Sequence, residues 1–516
     1  MIKRRFILFF LLLVSFIFSY AQNEDKEITL DSSIFDIDVR LFDEYLAEHP
    51  EYMLKNRSKV ECTRDFRHSN VLHYTPQNDT LPYFMVMIDH LMYDSLRQEL
   101  KRYSEDVHAI YGYGILVDTV ANGSPVQIKN LIKNYYDSLS VNGVLFVGDI
   151  AEAYFETQND HDSIGKYRVW PCDLYYMDMD GVWADTDLNG IYDSHMGNCS
   201  PELYVGRIST KGMPELEEND SLKYKALRKW FENVHLYWWR ASFQGEVKSL
   251  RYTDRNWVNS INVNTTEFLN ISGKVNTDSI SFGGGNFSKN DYLQRIMSNT
   301  YRFTQLASHS TPVLHQFSTN EYIYPWDILD ANSSNLGYNL FCCSACNWEA
   351  PSISGYMGGS YLFGNKKTIA VVGTTKIGSM EQMEKFYKSF GSRKSIGLSM
   401  KEWWECIFNT NYSTNTRIWW FYGMTLLGDP NFYLRHEVTD YCCENLVLTS
   451  FPQGDNSNLV MRKAAASITL SNNYVIPQGV HVIADAPKIT IQGRFVCPQG
   501  SSFETRNEGC SIVNIN

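Results

Sequence analysis

The sequence predicts an α/β fold in which mostly parallel sheets are flanked by helices, arranged as two subdomains and followed by a small all-β domain. Two observations support this. Nearly continuous apolar runs alternate with amphipathic segments over residues 84–149, and similar buried runs return after residue 302. Beyond about residue 437, short segments alternate apolar and polar residues instead. The first pattern is typical of buried parallel strands joined by helices, and the second of a small β domain.

The first half has the clearest rhythm. Apolar runs at 84–88, 113–117 and 143–149 predict strands, and the apolar spacing at 92–103 and 126–139 predicts helices between them. Such βαβ units form a parallel sheet, and functional sites usually lie in the loops at the carboxyl ends of its strands.

A helix predicted over 213–238 leads into the second half. Apolar runs there predict three further buried strands, and helical spacing follows them. The predicted strands are 302–307, 339–345 and 368–373, and the predicted helices are 382–390 and 400–407.

The C-terminal part has a weak repeat. Pro-Gln-Gly occurs at 452–454, 477–479 and 498–500, and the last two prolines are 21 residues apart (498 − 477). Alternating segments at 467–470, 480–483 and 488–491 accompany these turns. The spacing predicts stacked β units, and no residue pattern there indicates chemistry.

Five segments are therefore predicted along the 516 residues. They are a signal peptide at 1–21, an N-terminal extension at 22–80, an α/β subdomain at 81–236, a second α/β subdomain at 237–436 and a small β-rich domain at 437–516.

The N-terminus predicts export. A basic start is followed by an apolar run at 6–18 and small residues before a cleavage point near Ala21. A membrane anchor is the alternative, but the run is shorter than the ~20 residues that a span needs. The protein is then expected in the periplasm, on the cell surface or outside the cell. The net charge of −12 disfavours a nucleic-acid partner, and no later segment predicts a transmembrane span.

Two predicted strand ends carry candidate catalytic groups. His309 follows the run 302–307, and Cys346 follows the run 339–345, with 37 residues between them (346 − 309). A cysteine attacks as its thiolate, and a nearby imidazole can supply that form at neutral pH. The alternative is that His309 is a core histidine and Cys346 a buried or disulfide-bonded residue, and that alternative stays open on spacing alone.

Six short motifs, in order, resemble the gingipain family of caspase-like cysteine peptidases over roughly residues 80 to 435. They are the apolar strand ending in Val147-Gly148-Asp149, Cys172-Asp173-Leu174-Tyr175-Tyr176, Pro201 to Arg207, Ser308-His309-Ser310, Ala345-Cys346 and Leu427-Gly428-Asp429-Pro430. The resemblance implies a caspase-like fold.

It also implies roles for single residues. Cys346 would be the nucleophile, His309 its general base and Glu202 the carboxylate that orients the histidine. The backbone N–H groups of Ser310 and Cys346 would stabilise the oxyanion. Glu202 has an alternative reading as a surface carboxylate on a strand edge.

This chain departs from the family motifs near the residues that determine substrate preference. The usual Gly-His-Gly is Ser308-His309-Ser310 here, and Trp348 follows the expected nucleophile closely enough to be a substrate-binding candidate. Glu215 lies near the position of the acidic pocket residue of the members that cleave after Arg or Lys. It also fits an ordinary carboxylate in the first turn of a helix. The sequence therefore leaves open whether cleavage follows Arg or Lys.

A calcium loop is predicted before Glu202. Asp185, Asp187 and Asn189 occupy the first, third and fifth positions, the carbonyl of Ile191 the seventh and Asp193 the ninth, with glycine at the sixth. The twelfth position is a methionine, so a further acid such as Asp178 or Asp180 is needed. An Asp/Asn-rich surface turn is the alternative. Family members carry structural calcium, which agrees with the loop.

The expected function is secreted endopeptidase activity on protein or peptide substrates, through a Cys346 thioester with His309 as general base and acid. A secreted binding or adhesion protein that keeps the fold without turnover is the main alternative, and a transpeptidase is a weaker one. The sequence leaves the oligomeric state open.

Overall fold

The structure is a computed structural model. It describes residues 32–54, 62–157, 168–240, 243, 248–260, 263–284, 287–350, 352–409, 420–434, 442–452 and 456–511. The predicted signal peptide, 1–21, lies outside the described residues. The chain divides into two compact units, Met1–Ile37 and Asp38–Asn516. The first is described only from residue 32 onward, within a helix, and the features below belong to the second.

Strands and helices alternate along the described part of the first 430 residues, and only strands follow. The strands are β1 Arg67–Tyr74, β2 Tyr83–Asp89, β3 Gly114–Ala121, β4 Val141–Val147, β5 Tyr154–Thr157, β6 Arg168–Pro171, β7 Val182–Ala184, β8 Ser194–Met196, β9 Tyr204–Ile208, β10 Ser249–Thr253, β11 Thr277–Ser281, β12 Phe303–Ala307, β13 His309–Thr311, β14 Leu314–Phe317, β15 Glu321–Ile323, β16 Gly337–Phe341, β17 Ala370–Thr374, β18 Met424–Gly428, β19 Cys443–Leu448, β20 Leu459–Val475, β21 His481–Asp485, β22 Lys488–Val496 and β23 Ser502–Arg506.

The α-helices between them are α1 Ser32–Glu48, α2 His90–Tyr111, α3 Pro125–Leu139, α4 Leu174–Met177, α5 Pro214–Glu217, α6 Asp220–Trp239, α7 Lys289–Ser298, α8 Pro325–Ala331, α9 Met357–Phe363, α10 Met383–Gly391 and α11 Ile396–Phe408. Short 3-10 turns span Pro50–Leu54, Arg255–Trp257 and Thr266–Asn270.

One large sheet forms the core. Within the described residues it has eleven strands in the order β1-β3-β2-β4-β9-β18-β17-β16-β12-β10-β11. The pairs from β3 to β9 and from β17 to β11 are parallel, whereas β1 is antiparallel to β3 and β18 to β17. Helices flank this mostly parallel sheet, which confirms the predicted α/β fold and is consistent with a caspase-like one.

Local signals explain where the helices start and stop. α3 begins with a capping box in which the Ser124 side chain accepts the Gln127 N–H, and the Gln127 side chain accepts the Ser124 N–H. α2 ends at Gly112, whose φ of 71° is in the left-handed region that favours glycine. These helices return the chain so that β2, β3 and β4 align in parallel.

The carboxyl ends of β9 and β16 lie on the same edge of the large sheet. Gly212 follows β9 and Trp348 follows β16, and a Cβ added to Gly212 would lie 2.2 Å from the Trp348 carbonyl oxygen. The loops after these strands therefore meet, and Gly212 needs to be glycine for this approach.

The C-terminal part is a separate stack of parallel strands, which agrees with the small β-rich domain expected from the sequence. β21 pairs with β23 at an offset of 21 residues (His481 with Ser502), and β20 pairs with β22 at the same offset (Ser467 with Lys488). The predicted 21-residue spacing is thus the number of residues between paired positions of stacked strands. A disulfide joins Cys442 to Cys510 across this part.

The described residues were also searched for a membrane span. Within them, every helix is too short or too polar to cross a bilayer.

Candidate active site

The register of two parallel strands decides which residues face each other. Ala307 of β12 pairs with Phe341 of β16. His309 and Cys343 each stand two residues beyond this pair, at the carboxyl ends of their strands. They therefore occupy equivalent positions at the edge where functional sites of parallel sheets are usually built.

The end of β16 differs from the prediction. The sequence predicts a strand over 339–345, whereas the strand ends at Phe341. Ser344 then takes a left-handed φ of 57° and its N–H donates to the Lys376 carbonyl at 2.8 Å. The chain turns at this point, so Cys343 is the cysteine at the strand end, and Cys346 lies beyond the turn.

The Cys343 side chain lies on the same side as the histidine. The Phe341 ring lies 4.8 Å from the Trp257 ring, and the Trp257 ring lies 5.7 Å from the His309 ring. Cys343 is in the turn that follows Phe341, and its hydrogen bond to Asp38 brings its thiol to the residue that also contacts His309. Cys342 points the other way, where its sulfur lies 3.4 Å from the Ser308 hydroxyl.

Asp38 of α1 reaches both groups. Its Oδ2 lies 2.8 Å from Nδ1 of His309. Burial raises the pKa of the Cys343 thiol well above its ordinary value, and the Asp38 charge and a hydrogen bond to Asp38 add to the effect. A backbone hydrogen bond from Gly378 acts in the opposite direction. The thiol, the imidazole and the Asp38 carboxylate therefore form one cluster.

Cys346 lies in a different place. A Cβ added to Gly373 would lie 2.5 Å from its sulfur, and a Cβ added to Gly358 would lie 2.8 Å from it. The sulfur is thus enclosed between β17 and α9, and burial raises its pKa. No hydrogen bond in the described part of the chain joins Cys346 to His309. Its N–H, expected to stabilise an oxyanion, donates to the Thr374 carbonyl at 2.9 Å.

His309 is held at both ring nitrogens. Nε2 lies 2.6 Å from the Asn256 side-chain amide, while Nδ1 faces Asp38. Burial alone would lower the pKa of His309, but the charge and hydrogen bond of Asp38, with a smaller contribution from Asp254, raise it above the ordinary value. The buried contact with Asp38 therefore favours the protonated form of His309.

The Ser310 N–H also points into the cluster. It donates to Oδ1 of Asp38 at 3.1 Å, while Oδ2 of the same carboxylate accepts from His309. The predicted oxyanion donor Ser310 is thus beside the imidazole and available to an oxygen at this position.

The structure places Glu202 away from His309, against the expectation that it orients the ring. Its Oε2 accepts the Met179 N–H at 2.6 Å. Glu202 precedes β9, whose carboxyl end shares the sheet edge with β16, so Glu202 starts from the opposite edge. Four strand positions separate β9 from β12, which is roughly 19 Å at ~4.8 Å per strand.

Of the two substrate-binding candidates, Trp348 is buried and Glu215 is exposed. The Trp348 indole N–H donates to Oε1 of Glu152 at 3.3 Å, and the Arg207 guanidinium lies 5.2 Å from its ring. Trp348 therefore packs inside the protein against Arg207 of β9, away from solvent. Glu215 is in the short helix α5 that follows Gly212, on the same sheet edge as the cluster.

The predicted calcium loop brings carboxylates together. Asp187 and Asp193 lie with Glu156 of β5 so that one oxygen from each is within 4.8 Å of the others. Glu156 thus supplies the further acid that the twelfth position of the loop lacks. The sequence suggests Asp178 or Asp180 for this role. Asp178 instead accepts from His195 Nε2 at 2.8 Å. Asp178, Asp180 and Glu202 form a second acidic group nearby.

The remaining loop residues shape this turn. Asp185 accepts the Gly190 N–H at 2.7 Å, and the Asn189 side chain donates to Glu156 Oε1 at 2.6 Å. The Asn189 Oδ1 accepts the Ile191 N–H at 2.9 Å. Burial, and then the charges of the neighbouring aspartates, raise the pKa of Glu156 to about 7. A bound cation would relieve this repulsion, so the residues present fit a divalent ion with oxygen ligands.

Sequence reasoning missed Asp38 and Asn256. Asp38 is 271 residues from His309 in the chain, within the segment read only as an N-terminal extension. Asn256 lies in the turn after β10. Neither residue lies in a motif, since each meets the histidine only through the tertiary fold.

Comparison with known proteins finds a matching family. The model for peptidase family C25 matches residues 84–435, which run from the second residue of β2 past the end of β18. His309, Cys343 and Cys346 all lie within the match. A solved structure titled "Structure of Protease" matches with a TM-score of 0.45 and 14% identity, over 70% of this chain and 80% of that one. No curated protein sequence matches the chain.

Proposed function

Because the chain belongs to peptidase family C25, the gingipain family, and is therefore a peptidase of the cysteine type, we propose that it is an endopeptidase whose nucleophile is Cys343 and whose general base and acid is His309. The register of the strands at this edge favours Cys343 over the sequence prediction of Cys346. This choice rests on the pairing of Ala307 with Phe341, because His309 and Cys343 each follow that pair by two residues.

The proposed reaction proceeds through an acyl-enzyme. The Cys343 thiol gives its proton to His309, and the thiolate attacks the carbonyl carbon of the scissile bond. The Ser310 N–H hydrogen-bonds the oxyanion that forms. As the C–N bond breaks, His309 returns the proton to the leaving amine. Water then attacks the thioester with His309 as base, which releases the carboxylic acid and restores the thiol.

Asn256 supports this reaction by orienting the ring. Once His309 has taken the proton of Cys343 it is an imidazolium, in which both nitrogens donate hydrogen bonds. Asn256 then presents its amide oxygen to Nε2, since the two amide orientations are interchangeable. This contact would orient the ring, the role that the sequence predicts for Glu202.

Calcium is the proposed structural cofactor. Glu156, Asp187 and Asp193 would hold it, with further oxygens from Asp185 and the Ile191 carbonyl. The ion would neutralise three carboxylates and fix the long segment that joins β4 to β9. Calcium would contribute no step to peptide hydrolysis.

Export is proposed on the basic and apolar N-terminus of the sequence. The substrates are then proteins or peptides in the periplasm, on the cell surface or outside the cell. Glu215 is exposed, and it is the proposed acidic group for substrate binding.

The test is labelling of the full chain with iodoacetamide and digestion of a mixed peptide library, both read by mass spectrometry. Peptide cleavage should vanish in Cys343→Ala and persist in Cys346→Ala. Loss of cleavage only in Cys346→Ala would return the nucleophile to Cys346. An absence of cleavage by the wild type would favour the alternative, a binding protein without turnover.

A further inference from the structure

Ser310 has a side chain at a position where the gingipain family usually has glycine, and this side chain needs a partner inside the protein. Ser310 is only 1% exposed. Its N–H donates to Oδ1 of Asp38 in the catalytic cluster. Its hydroxyl lies within the β13–β14 hairpin instead, with Oγ 2.8 Å from the Leu314 carbonyl oxygen and 2.9 Å from the Thr311 carbonyl oxygen. A buried hydroxyl is costly unless it is hydrogen-bonded, so the serine constrains the residues around it.

His315 is the side-chain partner of that hydroxyl. Strands β13 and β14 are antiparallel, and their register sets Ser310 opposite His315. Nδ1 of His315 lies 3.0 Å from Oγ of Ser310. Because the Ser310 N–H is directed at Asp38, it cannot also donate to His315 across the pair. The contact between the hydroxyl and the imidazole therefore links the two residues.

The surroundings of the hydroxyl fix which nitrogen of His315 carries the proton. A serine hydroxyl has one proton, and two carbonyl oxygens lie within its reach. It therefore donates to a carbonyl and accepts from the Nδ1–H of His315. Nε2 is then a bare acceptor, which agrees with its having no hydrogen-bond partner within the described residues. Burial lowers the pKa of His315 to about 3, so the ring keeps this neutral form at working pH.

Helix α9 holds the His315 ring from behind. The ring centroids of His315 and Tyr361 are 5.8 Å apart, and the Met357 N–H donates to the Pro312 carbonyl at 2.8 Å. Both contacts tie the β13–β14 hairpin to one helix of the core. His315 is fully buried, so packing sets its position, and its Nδ1–H fixes Ser310 relative to that helix.

A role for His315 as a general base conflicts with its side of the strand. Gln316 stands opposite His309 in the same hairpin. Adjacent residues of a strand point to opposite faces, so the His315 ring points away from the face that His309 and Gln316 share. His315 can therefore act on the reaction only through Ser310.

We propose that His315 is a positioning residue for the oxyanion donor: its Nδ1–H holds the Ser310 hydroxyl, and the Ser310 N–H thereby stays directed at the catalytic cluster. The inference rests on the proposed function, which uses that N–H to stabilise the oxyanion. It also explains how a serine can stand at the second glycine position of the family motif. In this role His315 neither binds the substrate nor transfers a proton.

His315→Phe in the full chain tests this role, because it keeps a ring and removes the Nδ1–H. We expect kcat for peptide cleavage to fall roughly 10- to 100-fold with little change in KM, since misplacing a group by about 1 Å can cost ~100-fold. Alkylation of Cys343 by iodoacetamide forms no oxyanion, so its rate should stay the same. An equal fall in cleavage and alkylation would show a general loss of site structure and overturn the proposal, as would unchanged cleavage.

Two further variants test the hydrogen bond itself. Ser310→Ala removes the hydroxyl, and adding His315→Phe to it should lower kcat no further, because the bond is already gone. His315→Asn places an amide N–H close to the position of Nδ1 and should recover most of the lost kcat. Multiplied losses in the double variant, or a His315→Asn variant as slow as His315→Phe, would contradict the proposal.

Hydrogen exchange at the Ser310 amide, read by mass spectrometry, tests the contact without catalysis. His315→Phe should speed this exchange at least about tenfold, since local opening of the hairpin then costs less. His481→Phe is the matched control, because His481 also faces a serine across paired strands, with Nδ1 2.6 Å from Oγ of Ser502 in the C-terminal part. If His315→Phe fails to fold, Ser310→Ala supplies the same measurement at residue 310.

Cleavage and exchange together keep the positioning role distinct from the proposed function. Peptide cleavage that persists in Cys343→Ala would contradict the proposed function, and the exchange result would still decide whether His315 holds Ser310. Unchanged exchange at Ser310 in His315→Phe would overturn the positioning role, even when Cys343→Ala abolishes cleavage.

Discussion

Ala307 and Phe341 pair across the adjacent parallel strands β12 and β16. This register brings the residues after Ala307 alongside the residues after Phe341. Two residues beyond the pair, His309 and Cys343 stand at the same edge of the sheet. Cys346 stands three residues further on, past a turn, with its sulfur between two glycines.

The enclosure of Cys346 gives a prediction about packing. Gly373→Ala should destabilise the chain by about 1–3 kcal/mol, because the new Cβ would lie 2.5 Å from the Cys346 sulfur. The next nearest atoms to the new Cβ lie at 3.5 Å or beyond. Cys346→Ala should therefore relieve most of the strain. Urea unfolding of the two single variants and the double variant measures this coupling. Additive effects would contradict the packing proposed for Cys346.

Asn256 gives a prediction about pH. Asn256→Ala should lower kcat by roughly 10- to 100-fold, as expected when a group that orients a catalytic residue is lost. Asn256→Asp adds a carboxylate beside His309 and should raise the pKa of the ring, which moves the ascending limb of the pH–rate profile to higher pH. The profiles of both variants and of the wild type are measured on the same peptide substrate. An unshifted profile in Asn256→Asp would exclude the orienting role.

The ion pair between Asp38 and His309 predicts how stability depends on pH. The folded pKa of His309 is raised above its unfolded value, so the stabilisation is complete below the unfolded pKa of about 6.5. It is lost as the pH rises through the folded pKa. The groups that face the ring are Asp38, Asp254, Cys343 and Asn256. Urea midpoints should therefore fall more steeply above pH 6.5 in the wild type than in Asp38→Asn, and parallel curves would contradict this.

Calcium should bind the loop between β7 and β8. A chelator should lower the unfolding temperature, and Glu156→Gln should weaken calcium binding measured by titration calorimetry. The pKa of Glu156 without the ion is about 7, so calcium affinity should fall as the pH drops below 7, where the carboxylate becomes protonated. Glu218→Gln, an exposed carboxylate at the end of α5, serves as the control. Equal calcium binding in both variants would place the ion elsewhere.

The large sheet could be predicted because its strands are continuous apolar runs. The predicted strand 84–88 lies within β2, and 302–307 covers β12 with one extra residue. His309 follows a strand whose end is marked by small residues. The 21-residue spacing of the Pro-Gln-Gly turns likewise predicted the pairing offset of the C-terminal strands.

The choice between cysteines could not be read in the same way. Residues 339–345 are all compatible with a buried strand, and the strand stops at Phe341 only because Ser344 adopts a left-handed φ against the Lys376 carbonyl. That contact depends on β17, which lies about 30 residues further along the chain. The contacts of Asp38 and Asn256 with His309 also depend on the folded chain.

The burial of Cys343 also governs how oxidants reach it. Peroxide and disulfides attack a thiolate that solvent can reach, whereas the Cys343 thiol is buried and its pKa is raised well above the ordinary value. Cys62, Cys443 and Cys497 are exposed and would react first. Under oxidising conditions, those exposed cysteines should therefore be modified while the Cys343 sulfur stays reduced.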